Sequence, residues 1–253
     1  MFIAKLGEAI SNPAGVPQAL GFIPSIIADS PASLYLDFAD LTRMWKESAG
    51  TNLVTASGDL IGKASSPYGT GYAFQGTAGQ LGTYQSAGGG VWRGDGSNDW
   101  LDTANFLFAA SGGNTAAMKI TPNSGSAGRT FFGFSSSNRF ALGLNASGFL
   151  LASYGTVATA ILGSVDVRST TFIVTLTHDG TNLYLYRDNV LVGSTPLSGV
   201  HATTFTPAIG AARPGTGGAP TGGWTGCDIR KVMLLSGRYV TAAEVANIVA
   251  AFG

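Results

Sequence analysis

Short runs of alternating apolar and polar residues recur along most of this chain. Leu34, Leu36 and Phe38 alternate with Tyr35 and Asp37, and similar runs at 131–134, 139–144 and 149–154 are separated by Ser- and Gly-rich turns. A period of two puts alternate side chains on opposite faces of a strand, so each run has one face to bury. Residues 171–192 read TFIVTLTHDGTNLYLYRDNVLV, with two runs around Asp179-Gly180 and a third after Asp188-Asn189. Asx-Gly and Asp-Asn pairs tolerate positive φ and suit tight hairpins. Leu183 and Leu185 share one face and Tyr184 and Tyr186 the other, which predicts an aliphatic core face and a face open to solvent or a partner. Further strands are expected at 207–212 and 227–235, and a short helical turn within 40–48, where Met44 and Trp45 would be core.

The pattern changes at the C-terminus. Thr241 is a suitable N-cap, Glu244 stands three positions later to complete a capping box, and Val240 and Val245 can form the flanking apolar staple. Val245, Ile248, Val249 and Phe252 then fall on one helical face and Gly253 ends the helix.

Residues 1–31 form a different kind of segment. Pro13, Pro17, Pro24 and Pro31 stand among Phe2, Ile3, Leu6, Ile10, Phe22, Ile23, Ile26 and Ile27, which is too apolar for a solvated linker and too rich in proline for a long helix. Such an arm needs a surface. It either covers its own domain irregularly or docks on a neighbouring subunit or larger particle. Neither a signal peptide nor a membrane span is expected from it, because Pro24 interrupts the apolar stretch 21–28.

Composition narrows the class. A chain of 253 residues can bury one sizeable core, and its 37 glycines without a collagen period fit many turns between short strands. Lys+Arg and Asp+Glu balance at 14 each, so the electrostatic footprint of a nucleic-acid binder is missing. Only 11% of residues are charged, which favours association over a free monomer and predicts a homo-oligomer. The architecture expected is all-β: a two-sheet antiparallel sandwich over 32–253 with an N-terminal arm over 1–31 and a short C-terminal helix.

Catalytic chemistry finds few of its parts. A retaining glycosidase needs two carboxylates about 5 Å apart, and the three glutamates, Glu8, Glu47 and Glu244, fall in the arm, beside a turn and in a helix cap. His178 adjoins a turn, His201 lies in a loop, and no Gly-x-Ser-x-Gly elbow accompanies them. The single Cys227 sits in a predicted strand as a small core residue. Zinc ligands at the usual spacing are missing. Asp95, Asn98, Asp99 and Asp102 bring oxygen ligands together, so Asp95, Asp99 and Asp102 are candidates for calcium, although turn capping explains the same residues. No other cofactor is expected.

The stretch Arg93-Gly94-Asp95-Gly96-Ser97-Asn98-Asp99-Trp100-Leu101, the Asp179-Gly180-Thr181 hairpin to Gly193, Ile209-Gly210 and the terminal Thr241-Ala242-Ala243-Glu244 occur in an order that resembles the laminin-G-like branch of the concanavalin A-like lectin and glucanase superfamily. The similarity runs from about Ser33 to the end. It departs at Asn189, where the family usually has glycine after an asparagine. The resemblance implies a jelly-roll sandwich and a surface for sugars. Asp37, Met44-Trp45 and the run 52–62 also resemble the opening of laminin-G-like proteins found in tailed-bacteriophage virions.

By that resemblance the chain is expected to be a non-enzymatic virion protein, a decoration, neck or tail-fibre component assembled in the host cytoplasm. Its arm would contact other virion proteins, and its loops would touch a host cell-surface glycan. A free carbohydrate-binding lectin is the alternative, and a polysaccharide-cleaving enzyme ranks last. Aromatic rings stack on the apolar face of a pyranose while amide and carboxylate oxygens orient its hydroxyls. Trp224, Trp92, Asn98, Tyr184 and Tyr186 are the ligand-contact candidates on this reading. Arg93-Gly94-Asp95 also spells an adhesion tripeptide, although its position in the Asp-Gly strand favours chance occurrence.

Overall fold

The computed structural model describes residues 18–103, 106–109, 112–125, 128–134, 139–155, 159–197, 205–213, 219–220 and 226–253. Their strands, in chain order, begin with β1 (Ala32–Asp37), β2 (Met44–Trp45), β3 (Lys63–Ser65), β4 (Tyr72–Phe74), β5 (Thr83–Gln85), β6 (Val91–Arg93), β7 (Leu101–Asp102) and β8 (Asn114–Pro122). They continue with β9 (Thr130–Phe134), β10 (Arg139–Leu144), β11 (Phe149–Gly155), β12 (Thr159–Asp166), β13 (Phe172–His178), β14 (Asn182–Arg187), β15 (Val190–Pro196), β16 (Ala208–Ile209) and β17 (Cys227–Ser236). Two helices complete the described chain, α1 (Gln18–Ala28) and α2 (Ala242–Phe252). No described helix is long and apolar enough to cross a membrane.

Two antiparallel sheets form the sandwich that the alternating pattern predicts. One runs β15-β14-β13-β8-β17-β6-β5, with β1 added on β17, and the other runs β12-β11-β10-β9-β16-β7-β4-β3-β2. Leu34 and Leu36 of β1, Met118 and Ile120 of β8, Val174 and Leu176 of β13, and Leu183 and Leu185 of β14 point into one core. They meet Phe132, Phe140 and Leu142 of the opposing sheet, and Phe108 lies edge-on to Phe132 and Phe140 at 5.7 and 5.0 Å. Edge-to-face rings of this kind add stability beyond the area they bury.

The hairpins follow the turn chemistry read from the sequence. Asp179 Oδ1 accepts the amides of Thr181 and Asn182 at 2.8 and 2.7 Å. At the next turn Asp188 and Asn189 have φ of 49° and 67°. Two successive positive φ angles match a tight type I′ hairpin turn, with Asn189 in the left-handed conformation at its second central position.

Both helices lie on the outer face of the first sheet. Thr241 and Glu244 form the complete capping box, and Val245, Ile248 and Phe252 are buried. These residues share a second apolar cluster with Ile23, Ile26 and Ile27 of α1 and with Tyr35, Ile173, Tyr186, Met233 and Leu235 of the sheet. This layer explains why all seven residues of β13 are buried, alternation or not.

Three expectations need correction here. Part of the arm is regular: residues 18–28 form three turns of helix with Pro24 inside, because burying three isoleucines against α2 outweighs one missing backbone donor. Residues 1–17, the rest of the arm expected over 1–31, lie outside the described residues. The short helical turn expected within 40–48 is present as a 3-10 turn, Leu41–Arg43, capped by Asp40, before β2 begins, but the core placement expected of both Met44 and Trp45 holds for only one of them. Met44 is core, whereas Trp45 is half-buried and has Lys63 Nζ 5.5 Å from its ring. Finally, Tyr186 faces α2 and is buried, so the outer face of the hairpin is covered at that point.

Candidate functional site

The structure separates the candidate ligand-contact residues. Trp92 of β6 points inward and is fully buried, which removes it as a stacking surface for sugar. Tyr186 is covered, and burial raises its pKa. Tyr184 stays half-buried at the rim, where its hydroxyl donates to Asp179 Oδ2 at 3.0 Å and its ring lies 5.8 Å from Tyr239. Asn98 sits in a turn and donates its backbone amide to Asp95 Oδ1 at 3.4 Å. Trp224, His201 and Glu8 lie outside the described residues.

The aspartates between β6 and β7 do not converge. Asp95 Oδ1 accepts the Ser97 amide at 2.7 Å, and Asp99 Oδ2 accepts the Asp95 amide at 2.9 Å. Asp102 turns away to pair with the buried Arg213 at 2.5 Å, and that guanidinium lies 5.4 Å from the Trp100 ring. Among the described residues no group of three His, Cys, Asp or Glu is placed to hold a metal ion. Burial pushes the Asp99 carboxyl up to about 6, and the nearby Asp95 charge adds to this against the hydrogen bond from the Asp95 amide. These residues cap a turn. The adhesion tripeptide is likewise occupied internally: Arg93 binds Asp228, and Asp95 binds its own turn.

A polar recess stands where β6, the end of β8 and the start of β17 meet. It has a volume of about 490 Å³ and is lined by Arg93, Thr121, Asn123, Ser124, Ser169 and Asp228, among others. Arg93 Nε and Nη2 donate to the two Asp228 oxygens at 2.6 and 2.8 Å, a bidentate pair in register across β6 and β17. The Thr121 hydroxyl lies 2.7 Å from both Arg230 Nη1 and Thr171 Oγ1. Asn123 donates its amide to the Gly226 carbonyl at 2.9 Å, tying the turn after β8 to the start of β17. Ser169 holds φ of 59°, a conformation few non-glycine residues adopt, and its amide donates to Pro122 at 2.7 Å.

Chemically, the recess offers fixed donors and acceptors without a reactive centre. Asp228 is neutralised by Arg93, and burial pushes the Cys227 thiol up, which keeps it protonated and poorly nucleophilic. Hydroxyls, an amide and a planar ion pair are the groups that orient a polyol. Sequence reading missed this constellation because Arg93 and Asp228 stand 135 positions apart. Only the pairing register of β6 with β17 reveals it.

Comparison with known proteins agrees with the fold. A family model described as "Concanavalin A-like lectin/glucanases superfamily" matches residues 95–246. Among solved structures, the binding domain of Paraclostridial Mosquitocidal Protein 1 is 10% identical with a TM-score of 0.50, covering 70% of this chain and 51% of that one. A variant of the NanB sialidase from Streptococcus pneumoniae is 13% identical with a TM-score of 0.50, covering 62% of this chain and 27% of the sialidase. This chain thus aligns with about half of the first and about a quarter of the second. No curated protein matches it.

Proposed function

We propose that this chain, which belongs to the concanavalin A-like lectin/glucanase superfamily, is a non-enzymatic structural protein of a virion whose lectin-like sandwich contacts a glycan on the host surface. The glycan contact is assigned to the recess of Arg93, Asn123 and Asp228. The observation that carries it is the Arg93–Asp228 pair, which holds a planar array of donors and acceptors at the edge of a polar cavity of about 490 Å³. That size suits one or two sugar rings, and a pre-ordered ion pair loses little entropy when a hydroxyl binds to it.

The non-enzymatic reading is supported by where the carboxylates are engaged. Glu47 accepts from Thr51 and Asn52, Glu244 from Thr241 and Arg238, and Asp228 from Arg93. None of these is paired with a second carboxylate in the way a retaining glycosidase requires. The virion assignment rests on the resemblance of the run from Tyr35 to Gly62 to phage laminin-G-like proteins and on the low content of charged residues, which favours an assembled state.

The test is a glycan array probed with the full chain, followed by calorimetry on the best sugar. Asp228→Asn and Asn123→Ala should each weaken binding about tenfold, the loss of one good hydrogen bond to a fixed group. Unchanged affinity in both variants would move the site elsewhere, and an array without signal would remove the glycan role. Mass spectrometry of purified particles tests the virion assignment directly, since a structural component must be present in stoichiometric amount.

A further inference from the structure

The helical layer leaves part of the first sheet's outer face uncovered. Trp92, Ile120 and Ile229 belong to the core between the sheets, so their neighbours Arg93, Thr121 and Asp228 fall on the outer face of β6, β8 and β17. Strand register sets these three side by side, with Asp228 across from Arg93 on one flank and from Thr121 on the other. The Thr121 hydroxyl continues the line to Thr171 at 2.7 Å. The chain enters α2 beside Thr115, whose hydroxyl donates to the Arg238 carbonyl, and α2 ends beside Lys119, whose ammonium donates to the carbonyls of Phe252 and Gly253. Thr121 is two residues further along the same strand, so the row from Arg93 to Thr171 lies past the end of the helix.

Charge along this strip does not cancel. Arg93 and Asp228 neutralise each other through two hydrogen bonds, and Lys119 and Lys231 are engaged by the last carbonyls of α2. Arg230 is different. Its Nη1 donates to the Thr121 hydroxyl at 2.7 Å and its Nε to the Gly88 carbonyl at 3.2 Å, both neutral acceptors, and among the described residues no carboxylate pairs with it. Its place is fixed, because a Cβ on Gly88, where φ is +79°, would fall 2.8 Å from Arg230 Nη2. Lys119 registers the surplus: burial first, then the charges of Lys231 and Arg230, hold its pKa below the usual lysine value. The hydroxyls add a donor. Thr121 and Thr171 carry two hydroxyl hydrogens and use one between them, while Arg230 takes up a lone pair of Thr121, so one hydrogen remains for an outside acceptor.

We infer that the glycan held by this recess is an acidic one, bearing a carboxylate or sulfate group, and that the acid sits on the Thr121 and Thr171 hydroxyls beside Arg230. The inference rests on the reading of the recess as the glycan site. Thr121 both lines the recess and touches Arg230, so an oxyanion bound to its row lies one hydrogen bond from an uncompensated guanidinium. A neutral sugar that displaces water there leaves this cation without a counter-ion. An oxyanion supplies one and accepts the remaining hydroxyl hydrogen, the kind of charge complementarity that sets specificity.

The test uses the full chain on a glycan array holding neutral, carboxylated and sulfated members, followed by calorimetry on the best-bound glycan and on its carboxyl-reduced or desulfated form. The strongest signals should fall on acidic glycans, and removing the acid should weaken binding about fivefold or more. Arg230→Gln keeps a donor for Thr121 but removes the charge, so it should bind the acidic and the neutralised form alike. Raising sodium chloride to about 0.5 M should shrink the preference in the wild-type chain. A best ligand that is neutral, or one whose affinity survives loss of its acid, would overturn this inference alone, provided that Asp228→Asn and Asn123→Ala still weaken binding. An acid preference that Arg230→Gln retains would overturn it too, by placing the acid elsewhere. An array without signal would remove the recess as a glycan site and this inference with it.

Discussion

Gly82 and Trp92 are packed with no space for a methyl group between them. A Cβ built on Gly82 would fall 2.7 Å from Trp92 Cζ2 and nearer still to Nε1 and Cε2. On the other side, a Cβ on Gly210 would lie 2.7 Å from Cη2. The indole is thus slotted between two glycines, and its buried Nε1 has no hydrogen-bond partner among the described residues. Gly82→Ala and Gly210→Ala should each cost about 1–3 kcal/mol through overpacking of a rigid ring. Gly210→Ala should be the more damaging, because φ there is +83° and alanine adds backbone strain. Calorimetry should show the melting temperature falling by about 2–4 °C per kcal/mol in a chain of this size.

Stability should also depend on pH in an unusual direction over part of the acidic range. Asp99, nearly buried, has its carboxyl pushed up to about 6 by burial first and by the Asp95 charge as well. Between the unfolded value near 4 and the folded value, the native state binds the extra proton. Stability therefore falls as pH rises through that window and is flat above it, by roughly 2 kcal/mol after allowance for partial solvent screening. Asp99→Asn should remove the slope and raise stability at pH 7, since an amide oxygen still accepts the Asp95 amide. Glu47 acts oppositely: the amides of Asn52 and then Thr51 hold it down at about 2, so its contribution is present above about pH 4 and lost as pH falls toward 2. Urea titrations at half-unit steps from pH 3 to 8 would resolve the two, and a rising curve between pH 4.5 and 6 that Asp99→Asn leaves unchanged would contradict the assignment.

Calcium should have no effect on the fold. Asp95 and Asp99 accept turn amides and Asp102 faces Arg213, so the oxygens that looked like a ligand set in sequence point in different directions. Thermal unfolding in excess calcium and in EDTA should coincide to within a degree. A calcium-dependent rise of several degrees would mean that a tight site exists after all.

The contrast between what sequence revealed and what it concealed follows from interaction range. The turns of the β13–β14–β15 meander and the α2 cap are set by residues a few positions apart, and both stand where the pattern places them, although β15 runs on to Pro196. Trp92 was misjudged because β6 has only three residues, too few for alternation to say which face is buried. Tyr186 was misjudged for another reason: the period of two identifies a face, but only the packing of α2 decides whether that face is wet. The recess needed the most distant information, since Arg93 and Asp228 meet through strand pairing alone.

The start of α2 offers a local test of the second layer. Thr241 Oγ1 accepts the Glu244 amide at 3.3 Å, while Glu244 Oε2 accepts the Thr241 amide at 2.8 Å and Oε1 pairs with Arg238. Thr241→Ala should cost about 1 kcal/mol. Because α2 covers Tyr186 and packs on α1, hydrogen exchange should rise in both helices and leave the strands of the opposite sheet unchanged. Faster exchange throughout the sandwich would instead mean that α2 and the main core unfold together.

Arg213 offers the sharpest distinction between charge and shape. It is 4% exposed, pairs with Asp102 at 2.5 Å, and stacks over Trp100, whose Nε1 donates to Gln80 Oε1 at 3.3 Å. Removing the guanidinium leaves Asp102 without its counter-ion in a site where water is scarce, so Arg213→Ala should cost about 3–5 kcal/mol. Arg213→Lys keeps the charge but loses the planar group that lies over the indole, so it should recover only part of that loss. Restoration should come from the partner's side: Arg213→Met combined with Asp102→Asn removes both charges and should be much less damaging than Arg213→Met alone. A double variant as unstable as the single one would mean that Arg213 acts through contacts with Trp100 and its neighbours, independently of the Asp102 charge.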